Sequence, residues 1–178
     1  MKIDSYVKIM SEKEAKEIAN KRGNTLGKIL LKNNPINNMK VLYIENKIIT
    51  LNMIHEPNII SKNIFKANRK KQKITFIADG STGSVAYYES GPGIENINAD
   101  EDNIQFSIYE DNVLIEKSKK LARRIVRRKV GGDVSLEIES IKSVFRPFHV
   151  AFYGELEEGK KVRYLPIAAD GCNSKRTF

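Results

Sequence analysis

The 178-residue chain contains no Trp, only two His and a single Cys, and these shortages narrow what it can be. One cysteine cannot close a disulfide within the chain or supply a multi-cysteine metal site. Aromatic residues make up 8% of the sequence and are not gathered into the interleaved series that stacks nucleic-acid bases. No apolar run approaches the length needed to cross a bilayer. The first ten residues place Lys2, Asp4 and Lys8 where a signal peptide needs an unbroken apolar stretch, so no export signal is expected and a cytoplasmic location is.

What is present is a chain long enough for one ordinary domain or two small lobes, with 40% hydrophobic residues to build a core. Lys and Arg number 31 against 22 Asp and Glu, a net charge of +9. That balance favours anionic partners such as nucleic acid, acidic lipid or an acidic protein. The chain is also rich in Lys, Asn and Ile throughout, a bias that raises the charge without selecting a partner.

The two halves repeat one order of signals. In the first, Ser11 and Glu14 have capping-box spacing and Gly23 is a stop signal, which predicts a helix over about 12–22. Residues 39–45 and 48–54 are rich in β-branched and large apolar residues, consistent with a hairpin or one long bent strand. Residues 73–78 and 84–88 flank Asp79-Gly80-Ser81-Thr82-Gly83, the best hairpin signal in the chain. The acidic, Gly- and Pro-containing stretch 90–106 reads as the connection. In the second half, Ser107 and Glu110 have the same capping spacing. Leu114, Ser118, Leu121, Ala122 and Ile125 then form a helical stripe running toward Lys129, and Gly131-Gly132 ends it. Strands are expected at 134–145, 147–154 and 161–169, with Glu157-Glu158-Gly159-Lys160 as the last turn, and Asp170-Gly171 closes the copy. Lys40–Ile48 can be laid over Lys142–Val150.

The segment Ile77–Val85, a strand ending in Asp and followed by Thr-Gly-x-Val, resembles the terminal hairpin of PepSY-type domains, small α/β modules that are often tandem. The resemblance covers this short stretch, since Asp170-Gly171-Cys172-Asn173 lacks the Thr-Gly, and it implies inhibitory or regulatory contacts without assigning any functional residue.

The strongest candidate site is a basic helix face: Lys120, Arg123, Arg124 and Arg127 fall opposite the apolar stripe, with Lys117 and Arg128 beside them. Arginine forks suit phosphate, and such contacts give salt-dependent affinity; the plainer reading is a solvated outer face. Lys62, Lys66, Arg69, Lys70, Lys71 and Lys73 form a second cluster with Phe65 as its aromatic, read as a basic loop or a charged strand edge. Gly80-Ser81-Thr82-Gly83-Ser84 lacks the Lys and the following helix of a phosphate loop and reads as a turn. His55 and His149 have no second ligand at metal-site spacing. Cys172 has no sequence-local His. Asp79 and Asp170 occupy matching places, consistent with turn chemistry or a repeated polar site.

These signals predict an α+β protein of two related lobes, each an antiparallel sheet packed against one helix, spanning 1–89 and 107–178 and joined by 90–106. The expected function is a non-catalytic binding or regulatory module acting through a protein partner, without cofactor or metal. The alternative is a nucleic-acid-binding accessory protein using the helix at 117–129. An enzyme assembled from Asp79, His149, Asp170 and Cys172 ranks third.

Overall fold

The computed structural model describes residues 1–21, 36–55, 70–129, 134–153 and 163–172. Their order is β1 (Lys2–Tyr6), α1 (Glu12–Lys21), β2 (Ile36–His55), β3 (Lys70–Asp79), β4 (Val85–Tyr87), β5 (Ile94–Asn98), a 3-10 turn (Glu101–Asn103), β6 (Ile104–Gln105), α2 (Asp111–Lys129), β7 (Val134–Tyr153) and β8 (Arg163–Ala168). The fold is mixed α+β, with strands hydrogen-bonded in the order β4-β3-β2-β7-β1-β5, β6 on β2 and β8 on β7.

Two of these strands are much longer than average. The stretches at 39–45 and 48–54 form one 20-residue strand. Asn46 and Lys47 do not interrupt it, because they stay in register with Asp79 and Ala78 of β3. The expected strands at 134–145 and 147–154 likewise merge into one. Pro147, which lacks an N–H, falls between the β1 contact at Phe145 and the β8 ladder that begins at Phe148. Its carbonyl accepts the Ala169 N–H at 2.9 Å.

Two compact units emerge, and their limits differ from the expected 1–89 and 107–178. The first unit comprises Met1–Ile44, Pro92–Gln105 and Phe145–Phe178; the second comprises Glu45–Gly91 and Phe106–Val144. Two of the four boundaries, after Ile44 and after Val144, fall inside the long strands, and each unit draws on both halves of the chain. The stretch 90–106 is correspondingly more than a connection, since it supplies β5 and β6.

Within the second unit, β2 pairs antiparallel with β3 from Asn46↔Asp79 to His55↔Lys70, and β3 with β4 from Phe76↔Tyr87 to Ala78↔Val85. Alternate positions turn Ile49 and Leu51 inward beside Phe76 and Ala78. The face they make is covered by Leu114, Ile115 and Ala122 of α2. Within the first unit, β1 pairs with β5 from Lys2↔Asn98 to Tyr6↔Ile94, and β7 pairs with β8 from Phe148↔Ala168 to Tyr153↔Arg163. Ala15 and Ala19 of α1 bury against Ala151, Tyr153 and Ile167, and the Tyr153 hydroxyl donates to the Ala19 carbonyl at 3.1 Å.

The capping box at α1 forms: the Ser11 N–H reaches Glu14 Oε2 at 2.8 Å and the Glu14 N–H reaches Ser11 Oγ at 3.3 Å. The one expected at Ser107 and Glu110 does not. The Ser107 N–H is taken by Glu45 Oε2 at 2.9 Å, and Ser107 Oγ bonds within its own turn to the Tyr109 N–H and carbonyl. Helix α2 therefore starts later, with the Glu110 carbonyl accepting from the Val113 and Leu114 N–H groups.

One backbone arrangement occurs in both units. The Gly80 N–H donates to the Glu45 carbonyl, and the Gly80 carbonyl accepts from the Ile108 N–H just before α2. The Ala169 N–H donates to the Pro147 carbonyl, and the Ala169 carbonyl accepts from the Ile9 N–H just before α1. Laying Lys40–Ile48 over Lys142–Val150 pairs Glu45 with Pro147, the same two residues that accept these bonds.

Candidate basic helix face

Helix α2 separates its two sides as its periodicity predicts. Leu114, Ser118 and Ala122 are fully buried, Val126 and Ile115 nearly so, and Leu121 and Ile125 pack half-buried against the same core. The Ser118 hydroxyl donates to the Leu114 carbonyl at 2.8 Å, which satisfies it inside the core.

The opposite side carries the cations. Lys120, Arg123, Arg124, Arg127 and Arg128 are exposed, and among the described residues none of them has a carboxylate ion-pair partner. Lys117 differs. Its Nζ donates to the Gly83 carbonyl at 2.9 Å and lies 4.6 Å from the centre of the Tyr109 ring, so it ties α2 to the Asp79 turn. Glu116 pairs with Lys119 at 2.8 Å; that bond and the Lys119 and Arg123 charges hold its carboxyl below the ordinary range. Asn112, Val113, Glu116, Lys117, Lys120 and Arg123 line an open groove of about 630 Å³. Val113 gives one part of it an apolar wall, and the stems of Lys117, Lys120 and Arg123 extend apolar surface beneath their charges.

A buried ionic network fixes where this helix begins. Glu45 is 6% exposed, and its Oε1 takes Lys47 Nζ at 2.8 Å while Oε2 takes the Ser107 N–H. Lys47 also donates to Ser143 Oγ at 3.0 Å and lies 3.4 Å from Asp111 in the first turn of α2. Burial pushes the Glu45 carboxyl up, but the bonds from Lys47, the Ser107 backbone and Ser143, with the Lys47 charge, outweigh it and hold the group below its ordinary value. Burial pushes Lys47 down, and Glu45 with Asp111 outweighs that in turn and raises it. Gly80 sits against this network: a Cβ there would overlap the Glu45 carbonyl oxygen and come within 2.9 Å of Ser107 Cα.

The other candidate residues do not form one site. Asp79 Oδ1 accepts from the Ser81 N–H and hydroxyl and from the Thr82 N–H at 2.7–2.9 Å, which closes the turn. Gly83 supplies the positive φ of 65° that this turn requires. The Gly80–Ser84 stretch is therefore a turn. Asp170 makes the same kind of turn, accepting the Cys172 N–H at 2.9 Å, and in addition takes Arg146 Nε at 2.6 Å and Nη2 at 3.2 Å. Arg146 also donates to the Cys172 carbonyl. Cys172 thus lies beside Asp170 and Arg146. Burial and the Asp170 charge push its thiol up, against the pull of Arg146, the opposite of what an activated nucleophile needs.

His149 is 4% exposed, with Nε2 3.0 Å from the Met10 carbonyl and Nδ1 unpartnered. Of the second basic cluster, Lys62, Lys66 and Arg69 lie outside the described residues, as do Phe65 and the side chains of Lys70 and His55. Lys71 is exposed on β3, and Lys73 pairs with Glu139 at 2.5 Å.

Periodicity alone places these cations on one helix face, whereas the Glu45–Lys47 pair has no helical or turn signature in the sequence. Its signal is a strand one: two opposite charges at i and i+2 share one strand face inside an otherwise apolar run. Among the described residues no helix is long and apolar enough to cross a membrane, and no group of three or more His, Cys, Asp or Glu is placed to hold a metal. No protein-family model, curated protein or solved structure matches the chain.

Proposed function

We propose that this chain is a non-catalytic binding module that takes an acidic protein partner on the outer face of α2. The observation that carries the reading is the row Lys120, Arg123, Arg124, Arg127 and Arg128, exposed without carboxylate partners among the described residues and joined to the groove at Val113. A cationic surface beside an apolar wall suits a polypeptide segment carrying both acidic and apolar side chains. A phosphate backbone gains nothing from Val113, and Glu110 and Glu116 at the same end of the helix repel it. The occupied turn roles of Asp79 and Asp170 and the raised Cys172 thiol favour binding over catalysis. The PepSY-like hairpin and the recurring backbone bonds before each helix support a regulatory module. The second reading is nucleic-acid binding by the same cations, which would use them without the groove.

Labelled peptides alternating Glu and Leu, their Gln-for-Glu counterparts, and single- and double-stranded DNA and RNA separate these readings when titrated from about 50 to 200 mM salt. The acidic peptides should bind at least about tenfold more tightly than the Gln counterparts, a difference of about 1.4 kcal/mol. Replacing Arg123, Arg124 and Arg127 together by Gln should remove that preference and leave the fold intact. Equal affinity for both peptide sets would refute the acidic-partner reading. Tight nucleic-acid binding at the upper salt, lost in the triple variant, would assign the face to nucleic acid.

A further inference from the structure

We infer that the two halves of this chain are obligate partners, each supplying the helix that closes the core built on the other half's strands. The first half, to Gly91, contributes Ile49, Leu51, Phe76 and Ala78 to the core of the second unit. The residues that cover them, Leu114, Ile115 and Ala122, come from the second half. In the first unit the direction is reversed: Ala15 and Ala19 of the first half cover Ala151, Tyr153 and Ile167 of the second. The β1–β5 ladder joins the halves again over five residue pairs.

This goes beyond the binding role of α2 and does not depend on it. Two sequential lobes, each closed by its own helix, would leave either half with a complete core. Among the described residues, either half alone exposes an apolar sheet face with no helix of its own seated on it. The recurring bonds show the same exchange locally. The turn after β3, in the first half, receives the N–H before α2, and the turn after β8, in the second half, receives the N–H before α1. Each half is thus the partner that the other half's surface fits. The covalent link between them runs through Ser90–Gly93, where Ser90, Gly91 and Gly93 are exposed, and the division between units falls between Gly91 and Pro92. A break there removes no core contact.

The test is to place a protease recognition sequence between Ser90 and Gly91 of the full chain and cut it to completion. The two fragments should remain together at the mass of the uncut protein, with unchanged far-ultraviolet circular dichroism. They should separate only in denaturant and reassemble when it is removed. Fragments that part at micromolar concentration in native buffer, each retaining protected amides, would overturn the inference. A measurement on the unaltered chain guards against an insertion that disturbs folding. Methyl nuclear Overhauser contacts should link Leu114 or Ile115 to Phe76 or Ala78, and Ala15 or Ala19 to Ile167. Contacts from Leu114 to β8 in their place would overturn it as well.

Discussion

Replacing Glu45 by Gln keeps the side chain's volume and one acceptor but removes the charge that Lys47 faces at 2.8 Å. Lys47, with a side chain 14% exposed, is then left with Asp111 at 3.4 Å and the Ser143 hydroxyl at 3.0 Å. Breaking a fully buried pair costs roughly 3–5 kcal/mol, and because Asp111 remains and Lys47 keeps some water, the expected loss is about 2–3 kcal/mol. Urea denaturation at neutral pH measures it. Lys47→Met should cost a similar amount, by stranding the Glu45 charge with the neutral Ser107 N–H and Ser143 as its remaining donors. The double variant should lose less than the sum, with a coupling of about 1–2 kcal/mol, because it leaves no orphaned charge.

The pH dependence has a definite sign. The Glu45 carboxyl is held below its ordinary value in the folded protein, so its stabilisation is fully present above that ordinary value and is lost as pH falls through the lower folded one. The gap between the native chain and Glu45→Gln should hold steady near neutrality and close below about pH 4. Lys47 is raised, so its share persists through neutrality and is lost only on the alkaline side, through its folded value. A cost under about 0.5 kcal/mol at neutral pH, the size of an ordinary surface change, would refute the assignment of this pair as the anchor of α2. So would a gap unchanged near pH 3.

Two further substitutions test the helix and its docking turn. Leu114→Asp should cost about 3 kcal/mol or more by burying an unpaired charge, whereas Arg124→Ala should stay within about 0.5 kcal/mol; equal losses in chemical denaturation would mean the helix faces are misassigned. Gly80→Ala should cost about 3 kcal/mol by driving a methyl into the Glu45 carbonyl, while Gly93→Ala, whose Cβ would meet only Val7 Cγ2 at 3.4 Å, should cost under about 1 kcal/mol in the same thermal melt.

Local signals proved legible where one period dominates. The stripe Leu114, Ser118, Ala122 is buried as spaced, the Ser11–Glu14 box forms, and the Asp79 turn reverses the chain between β3 and β4. Other features depended on partners distant in sequence. Ser107 and Glu110 have capping spacing, yet Glu45, 62 residues earlier, takes the N–H that the box would use. Asn46-Lys47 is compatible in sequence with a hairpin turn or one long strand, and the strand is what forms, because β3 pairs across it and Glu45 neutralises the lysine. Pro147 looks like the first residue of a new strand, but β7 runs through it, because its carbonyl is used and its missing N–H falls between two ladders. The candidate cations were legible from spacing alone; that Lys117 is committed to Gly83 and Tyr109 was not.

Which helix closes which sheet was the least legible feature, because a repeated order of elements is compatible with either pairing. Side-chain size supplies the physical reason for the choice made. Helix α1 fully buries only the small Ala15 and Ala19, with Ile18 half-buried beside them, so it leaves room for a large partner, and Tyr153 fills that space while its hydroxyl bonds the Ala19 carbonyl. Helix α2 offers Leu114 and Ile115 to the other core, where the facing strand alternates Phe76 with the small Ala78. If size matching holds α1 in place, Ala15→Leu should overpack the first unit and cost about 1–3 kcal/mol. Amide exchange at 151–153 and at Leu165 and Ile167 should rise with it, while 74–78 stays protected if the two cores open separately. Ala15→Leu with unchanged stability would mean that α1 is not held by fit against Tyr153, and the choice of partner would have to rest on the backbone bonds at Ala169.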